Sequence, residues 1–188
     1  MYHMKCPPIG PLLEVVGRLE RAGVPCALGG SGLLAALGLI DTVNDWDLTC
    51  DADPTRVQSL LVGHPGESHG NDTLHADHKL ALPDDRIEVI CGFAFHGPRG
   101  VIRLECMPAD RWQGVPLSTP ETWAVAYTLL ADGEQSARRR ERAELLFEQI
   151  ARRGAHAGVI ARLLAQPLPQ LLAERLRALP LTSTSSVT

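Results

Sequence analysis

One stretch near the N-terminus, from Gly29 to Asp47, constrains this chain more than any other. It lies between two segments with the marks of strands. Val24-Pro25-Cys26-Ala27-Leu28 is a short apolar run of the kind a buried strand uses, and Gly29-Gly30-Ser31-Gly32 breaks it. Leu33 to Leu39 reads as a short apolar helix. Asn44-Asp45-Trp46-Asp47-Leu48-Thr49-Cys50 then alternates polar with apolar, the period-two pattern of a strand.

That alternation has a chemical consequence. Asp45 and Asp47 fall on one face of the predicted strand and Trp46 on the other, which makes Trp46 a core residue. Two carboxylates so close repel each other unless a cation neutralises them. Magnesium suits the task, because it takes one or two carboxylates together with waters and phosphate oxygens. The Gly29-Gly30-Ser31 break precedes Asp45 at a strand-to-helix junction. There glycines let the backbone approach a phosphate, and a following helix N-terminus favours an anion. Ser31 adds a hydroxyl that can also cap the helix.

Taken together, these residues resemble the signature of the nucleotidyltransferase superfamily, the polymerase-beta-like fold. That signature is a hydrophobic residue, Gly, then Gly or Ser, a short interval, Asp-x-Asp, and a third acidic residue on a later strand. Here Leu28-Gly29-Gly30-Ser31 is followed by Asp45-Trp46-Asp47-Leu48, with twelve residues between Gly32 and Asp45. Glu88, between Ile87 and Val89, is the candidate third carboxylate, and Asp85, in a predicted turn, is the fallback. The wording around both motifs is similar to a small bacterial subgroup near the antibiotic-modifying and abortive-infection nucleotidyltransferases. Ser118-Thr119-Pro120-Glu121-Thr122-Trp123-Ala124-Val125-Ala126-Tyr127 resembles the helical segment that follows the catalytic domain in such proteins.

The resemblance implies an α+β fold: a mixed β-sheet flanked by helices, followed by a C-terminal helical segment. It implies transfer of a nucleoside monophosphate from a nucleoside triphosphate to an acceptor hydroxyl, with release of pyrophosphate. Asp45, Asp47 and Glu88 would be catalytic and hold magnesium (Mn2+ as the substitute), and Gly29, Gly30 and Ser31 would bind the nucleotide. The alternative is a degenerate nucleotide-binding or toxin–antitoxin-type interaction protein. Acceptors of this chemistry include an aminoglycoside-like or lincosamide-like small molecule, a tRNA end and a protein side chain. The net charge of -4 favours a small cationic acceptor over bulk RNA.

The rest of the chain sets the frame. Apolar residues at Leu12, Leu13, Val16 and Leu19 predict a helix ended by Gly23. Asp53-Pro54 predicts another, with Asp as N-cap and Pro in its first turn. Residues 63–72 read as a surface loop, and Thr73–Leu82, Arg86–Phe93 and Val101–Met107 as strands, with a turn at Pro83-Asp84-Asp85. From Thr119-Pro120-Glu121 onward the pattern is helical. The expected division is a catalytic domain over 1–114, a helical segment over 115–180 and a frayed tail over 181–188.

Composition narrows the functional classes. Hydrophobic residues make up 45% and charged residues 21%, as in a globular chain with a real core. With neither a signal-peptide pattern nor an apolar run of membrane-spanning length, the chain reads as cytoplasmic, with no membrane partner and a homodimer as an open expectation. The five cysteines include no CxxC pair and read as reduced thiols, mostly buried. No GxxxxGK[ST] phosphate loop occurs, which disfavours a kinase or GTPase. His64, His69, His75 and His78 read as loop or surface residues, Trp123 and Tyr127 as packing, and Arg138-Arg139-Arg140 with Arg142 as a solvated face.

Overall fold

The computed structural model describes residues 5–61, 63 and 67–182. Helix α1 (Ile9–Arg21) buries Leu12, Val15, Val16 and Leu19, one stripe at helical spacing. Its end is the predicted glycine cap. Gly23 takes φ 68°, its amide donates to the Glu20 carbonyl at 2.9 Å, and the Val24 amide donates to Leu19 at 2.9 Å. These are the paired bonds of a Schellman motif. Strand β1 (Cys26–Leu28) leads into helix α2 (Gly30–Ala36) and strand β2 (Trp46–Cys50). Helix α3 (Pro54–Leu60) starts as expected, with the Asp53 side chain accepting from the Thr55 and Arg56 amides.

Strands β3 (Glu67–His69), β4 (His78–Leu82) and β5 (Ile87–Cys91) come next, then β6 (Ala94–Gly97), β7 (Gly100–Arg103), β8 (Asp110–Trp112) and β9 (Val115–Leu117). Seven of them form one mixed sheet in the order β3-β4-β5-β2-β1-β9-β8, and β6 pairs with β7 in a two-stranded sheet. Helices α4 (Pro120–Glu134), α5 (Ala137–Arg153), α6 (Ala157–Leu164) and α7 (Gln170–Arg177) complete the chain. The fold is α+β with a mixed sheet and a C-terminal helical segment, as the sequence implies.

Several elements differ from the sequence reading. The supposed loop over 63–72 contains β3, whose three residues are all exposed. Backbone pairing to β4 holds it, so it has no apolar alternation to betray it. The strand predicted from Thr73 begins only at His78. The strand predicted over 101–107 shortens to β7, and the β8–β9 hairpin was not anticipated. Pro116 lies inside β9, and proline argues against a strand when read from sequence alone.

The described residues divide into two compact units. The first gathers those up to His96 together with Arg103–Thr119, and contains the whole seven-stranded sheet. The second gathers Gly97–Ile102 and the helices from Pro120 onward. In the first unit, Trp46, Leu48, Leu28 and Leu33 are fully buried. In the second, α4 buries Trp123, Val125, Ala126 and Tyr127, with the Trp123 and Tyr127 rings 5.6 Å apart. Glu121 is buried there and accepts a hydrogen bond from the His156 amide at 2.8 Å. Arg138 and Arg140 are exposed, Arg139 pairs with Glu134 at 2.9 Å, and Arg142 donates to the Tyr127 hydroxyl at 3.1 Å.

Candidate active site

The sheet order brings the two acidic motifs together. Strand β5 lies directly beside β2, parallel to it, and the register sets Asp47 opposite Glu88. Both are half-buried. Their neighbours on each side, Trp46 and Leu48, and Ile87 and Val89, are buried on the other face. The alternation predicted from sequence is therefore obeyed on both strands, and two carboxylates stand side by side on one face of the sheet.

Asp45 is placed differently from the expectation. It is not on the strand but in the bend just before it, and it is exposed. The strand begins at Trp46, whose amide donates to the Arg86 carbonyl at 2.8 Å. The backbone of Asp45 is anchored, because its carbonyl accepts from the Ser31 hydroxyl at 3.4 Å.

The Gly29-Gly30-Ser31 segment also sorts into separate tasks. Gly29 donates its amide to the Asp47 carbonyl at 2.8 Å and accepts from Leu33 at 2.8 Å, so it joins sheet to helix. Gly30 takes φ 53°, a conformation that favours glycine, and a Cβ built there would lie 1.7 Å from Asp47 Oδ2. Helix α2 therefore starts three residues earlier than the apolar pattern predicts, with Gly29 rather than Ser31 in the N-cap position. Ser31 is 3% exposed, and its hydroxyl ties the first turn of α2 to the Asp45 bend.

Sequence reasoning missed one charged residue of this face. Lys79, on β4, places its Nζ 3.5 Å from Glu88 Oε2. The β4–β5 register sets Ala81 directly opposite Glu88 and Lys79 opposite Ile90, so Lys79 reaches Glu88 diagonally. The signal was present in the hairpin around Pro83-Asp84-Asp85, once its pairing is counted outward from the turn. As the side chains stand, no group of three His, Cys, Asp or Glu among the described residues is gathered closely enough to hold a metal ion. The donor set nonetheless fits magnesium in kind and in backbone placement, with hard carboxylate oxygens on adjacent positions of β2 and β5.

The other candidates lie elsewhere. His64 is outside the described residues. His69 is 3.6 Å from Glu67, His75 is 3.4 Å from Asp77, and the His78 ring contacts the Ser68 hydroxyl. All five cysteines are free thiols, with Cys26, Cys50 and Cys91 buried. Cys50 and Cys91 are register partners with their sulfurs 3.7 Å apart, on the Trp46 face of the sheet. Their hydrogen bond lowers the Cys50 thiol and, with burial, raises Cys91. Burial pushes Cys26 up to about 12.

Comparison with solved structures decides the fold. A Thermotoga maritima protein assigned as a nucleotidyltransferase superposes with a TM-score of 0.54 at 17% identity, covering 70% of this chain and 89% of that one. The antibiotic-resistance factor ANT(2'')-Ia superposes in its solution structure with a TM-score of 0.55 at 14% identity, over 88% of this chain and 89% of that one. Its crystal structure in complex with adenylyl-2''-tobramycin gives 0.55 at 13% identity, over 90% of this chain and 96% of that one. This chain has a nucleotidyltransferase fold. No protein-family model matches it, and no curated protein matches it by sequence. Of the residues in the expected signature, Leu28 lies on β1, Gly30 and Ser31 on α2, Asp47 on β2 and Glu88 on β5, whereas Gly29 joins β1 to α2 and Asp45 lies one residue ahead of β2.

Proposed function

We propose that the chain is a metal-dependent nucleotidyltransferase that moves a nucleoside monophosphate from a nucleoside triphosphate to a hydroxyl of a small-molecule acceptor, releasing pyrophosphate. The observation that carries this reading is the Asp47–Glu88 register across the parallel β2–β5 pair, with Gly30 packed against the Asp47 carboxylate. The likeness in fold to ANT(2'')-Ia, solved with an adenylylated aminoglycoside, supports the reaction class and the size of the acceptor. The formal net charge of -4 supports a cationic acceptor.

In this reading Asp45, Asp47 and Glu88 hold magnesium. Magnesium held there would supply Lewis-acid chemistry, one ion making the acceptor hydroxyl more acidic and a second offsetting the charge of the leaving pyrophosphate. The protein's own part is placement. Gly30, lacking a side chain, lets the Asp47 carboxylate pack directly against the first turn of α2. The Gly29 amide is already engaged by Asp47, so the phosphate-facing role falls to Gly30 and the start of α2. Ser31 fixes the bend that presents Asp45. Positioning and charge stabilisation then supply most of the rate, as phosphoryl chemistry requires little covalent help.

The test is a transfer assay. Purified protein is incubated with each α-labelled nucleoside triphosphate, magnesium and a panel of aminoglycosides, lincosamides and a tRNA acceptor. Transfer of label to one small molecule, with equimolar pyrophosphate and loss in Asp47→Asn, is the expected result. Transfer to tRNA alone would overturn the acceptor class. An absence of transfer to every acceptor, with no pyrophosphate formed, would turn the reading toward a degenerate nucleotide-binding protein.

A further inference from the structure

The carboxylate face has a lysine beside it. Two carboxylates at register positions on adjacent strands repel each other, and the free protein must offset that cost. Lys79 does so: its Nζ is 3.5 Å from Glu88 Oε2, with the two side chains 23% and 29% exposed. The small Ala81, directly opposite Glu88, leaves the diagonal open to it. Only Lys5 and Lys79 are lysines in a chain whose other basic residues are arginine. A lysine is a compact charge on a flexible stem that can swing away, whereas arginine forms a rigid fork. Lys79 reaches Glu88 from β4, on the opposite side of β5 from β2.

We propose that Lys79 is a positioning residue: the internal counter-ion of the carboxylate pair, which holds Glu88 toward β4 in the metal-free protein and gives way when a divalent cation takes over its charge. The inference rests on the reading of this face as a metal site. The Lys79 ammonium exchanges one partner for solvent while the incoming cation exchanges water for carboxylate. Lys79 thereby couples the third carboxylate to metal arrival.

The experiment is a titration of the full chain with Mn2+ alone, reading free ion by electron paramagnetic resonance, without nucleotide. Lys79→Ala is expected to raise Mn2+ affinity roughly twofold to tenfold, the scale of a partly exposed ion pair. Lys79→Arg should keep affinity at or below the wild-type value. The gain should vanish when Glu88→Gln is added, which makes a double-mutant cycle. Melting without divalent ion should fall in Lys79→Ala, and saturating Mn2+ should raise it by more than in wild type. Lys79→Gln serves if the alanine variant does not fold. Unchanged or weaker Mn2+ binding in Lys79→Ala, a gain that persists with Glu88→Gln, or no binding in either protein would overturn the proposal. A Lys79→Ala gain in a protein that binds no nucleotide would leave this inference standing and remove the transferase reading alone.

Discussion

Gly30 and Asp47 are packed so closely that a methyl group on residue 30 would meet the Asp47 carboxylate at 1.7 Å. The backbone at Gly30 is also left-handed, at φ 53°. Gly30→Ala therefore meets two penalties at once. Backbone strain alone costs about 1–3 kcal/mol, and the displaced carboxylate leaves its position beside Glu88. The expected outcome is a lower melting temperature together with loss of magnesium-dependent nucleotide binding. Adding Asp47→Ala should recover part of the stability but none of the binding, as read by thermal melts and calorimetry on the single and double variants.

Gly32 does a different job in the same segment. Its position would bring a Cβ within 2.8 Å of the Leu28 side chain and 3.0 Å of Trp46, both fully buried. Gly32→Ala overpacks a dense core and should cost about 1–3 kcal/mol. Because Gly32 points to the Trp46 face and not to the carboxylates, metal affinity of the folded fraction should stay at the wild-type level. Urea unfolding alongside Mn2+ titration separates the two effects.

The thiols predict a reactivity pattern. Cys6 is exposed, whereas Cys26, Cys50 and Cys91 are buried. Cys106 is partly exposed, but burial of its sulfur raises it to about 12. The thiolate is the reactive form, so a disulfide reagent near neutral pH should modify Cys6 fast and the other four only on unfolding. For Cys26 and Cys106 the folded value is raised, so their contribution to stability is full below the ordinary thiol value of 9.0 and is lost as pH rises toward 12. Melting temperature should therefore fall over that alkaline window, less steeply in Cys26→Ser.

Arg175 and Glu144 predict an acid limb in the helical unit. Arg175 grips both oxygens of Glu144, with Nη1 donating at 2.7 Å to Oε1, and its guanidinium lies 3.7 Å from the Phe147 ring centroid. Those hydrogen bonds hold the Glu144 carboxyl below the usual range. A depressed folded value means the stabilisation is present above the ordinary carboxylate pKa and is lost as pH falls through the folded one. Both side chains are largely exposed, so solvent screening limits the pair to about 0.5–1 kcal/mol. Glu144→Gln should be less stable than wild type by that amount at neutral pH, and the difference should close on acidification. Arg175→Lys should lose most of the effect, since lysine cannot make the fork.

Much of the carboxylate face was legible because period-two alternation survives burial. Asp47 and Glu88 each sit between buried apolar neighbours, and the structure puts them in register. Gly23 and Asp53 announced helix ends through local chemistry that tertiary contacts do not alter. What stayed hidden depended on pairing with distant chain. Strand β3 is exposed throughout, and β9 carries a proline. Asp45 fell off the predicted strand because alternation does not mark where a strand begins. Lys79 looked like one polar residue of an alternating strand until the β4–β5 register set it diagonally across from Glu88.

The most direct test of the central claim is calorimetric titration of the protein with non-hydrolysable ATP, GTP, CTP and UTP analogues, with and without magnesium, in wild type and in Asp45→Asn/Asp47→Asn. The account predicts saturable binding of at least one analogue that requires magnesium and disappears in the double variant. Binding that is indifferent to magnesium and to both substitutions, or no binding of any analogue, would contradict it.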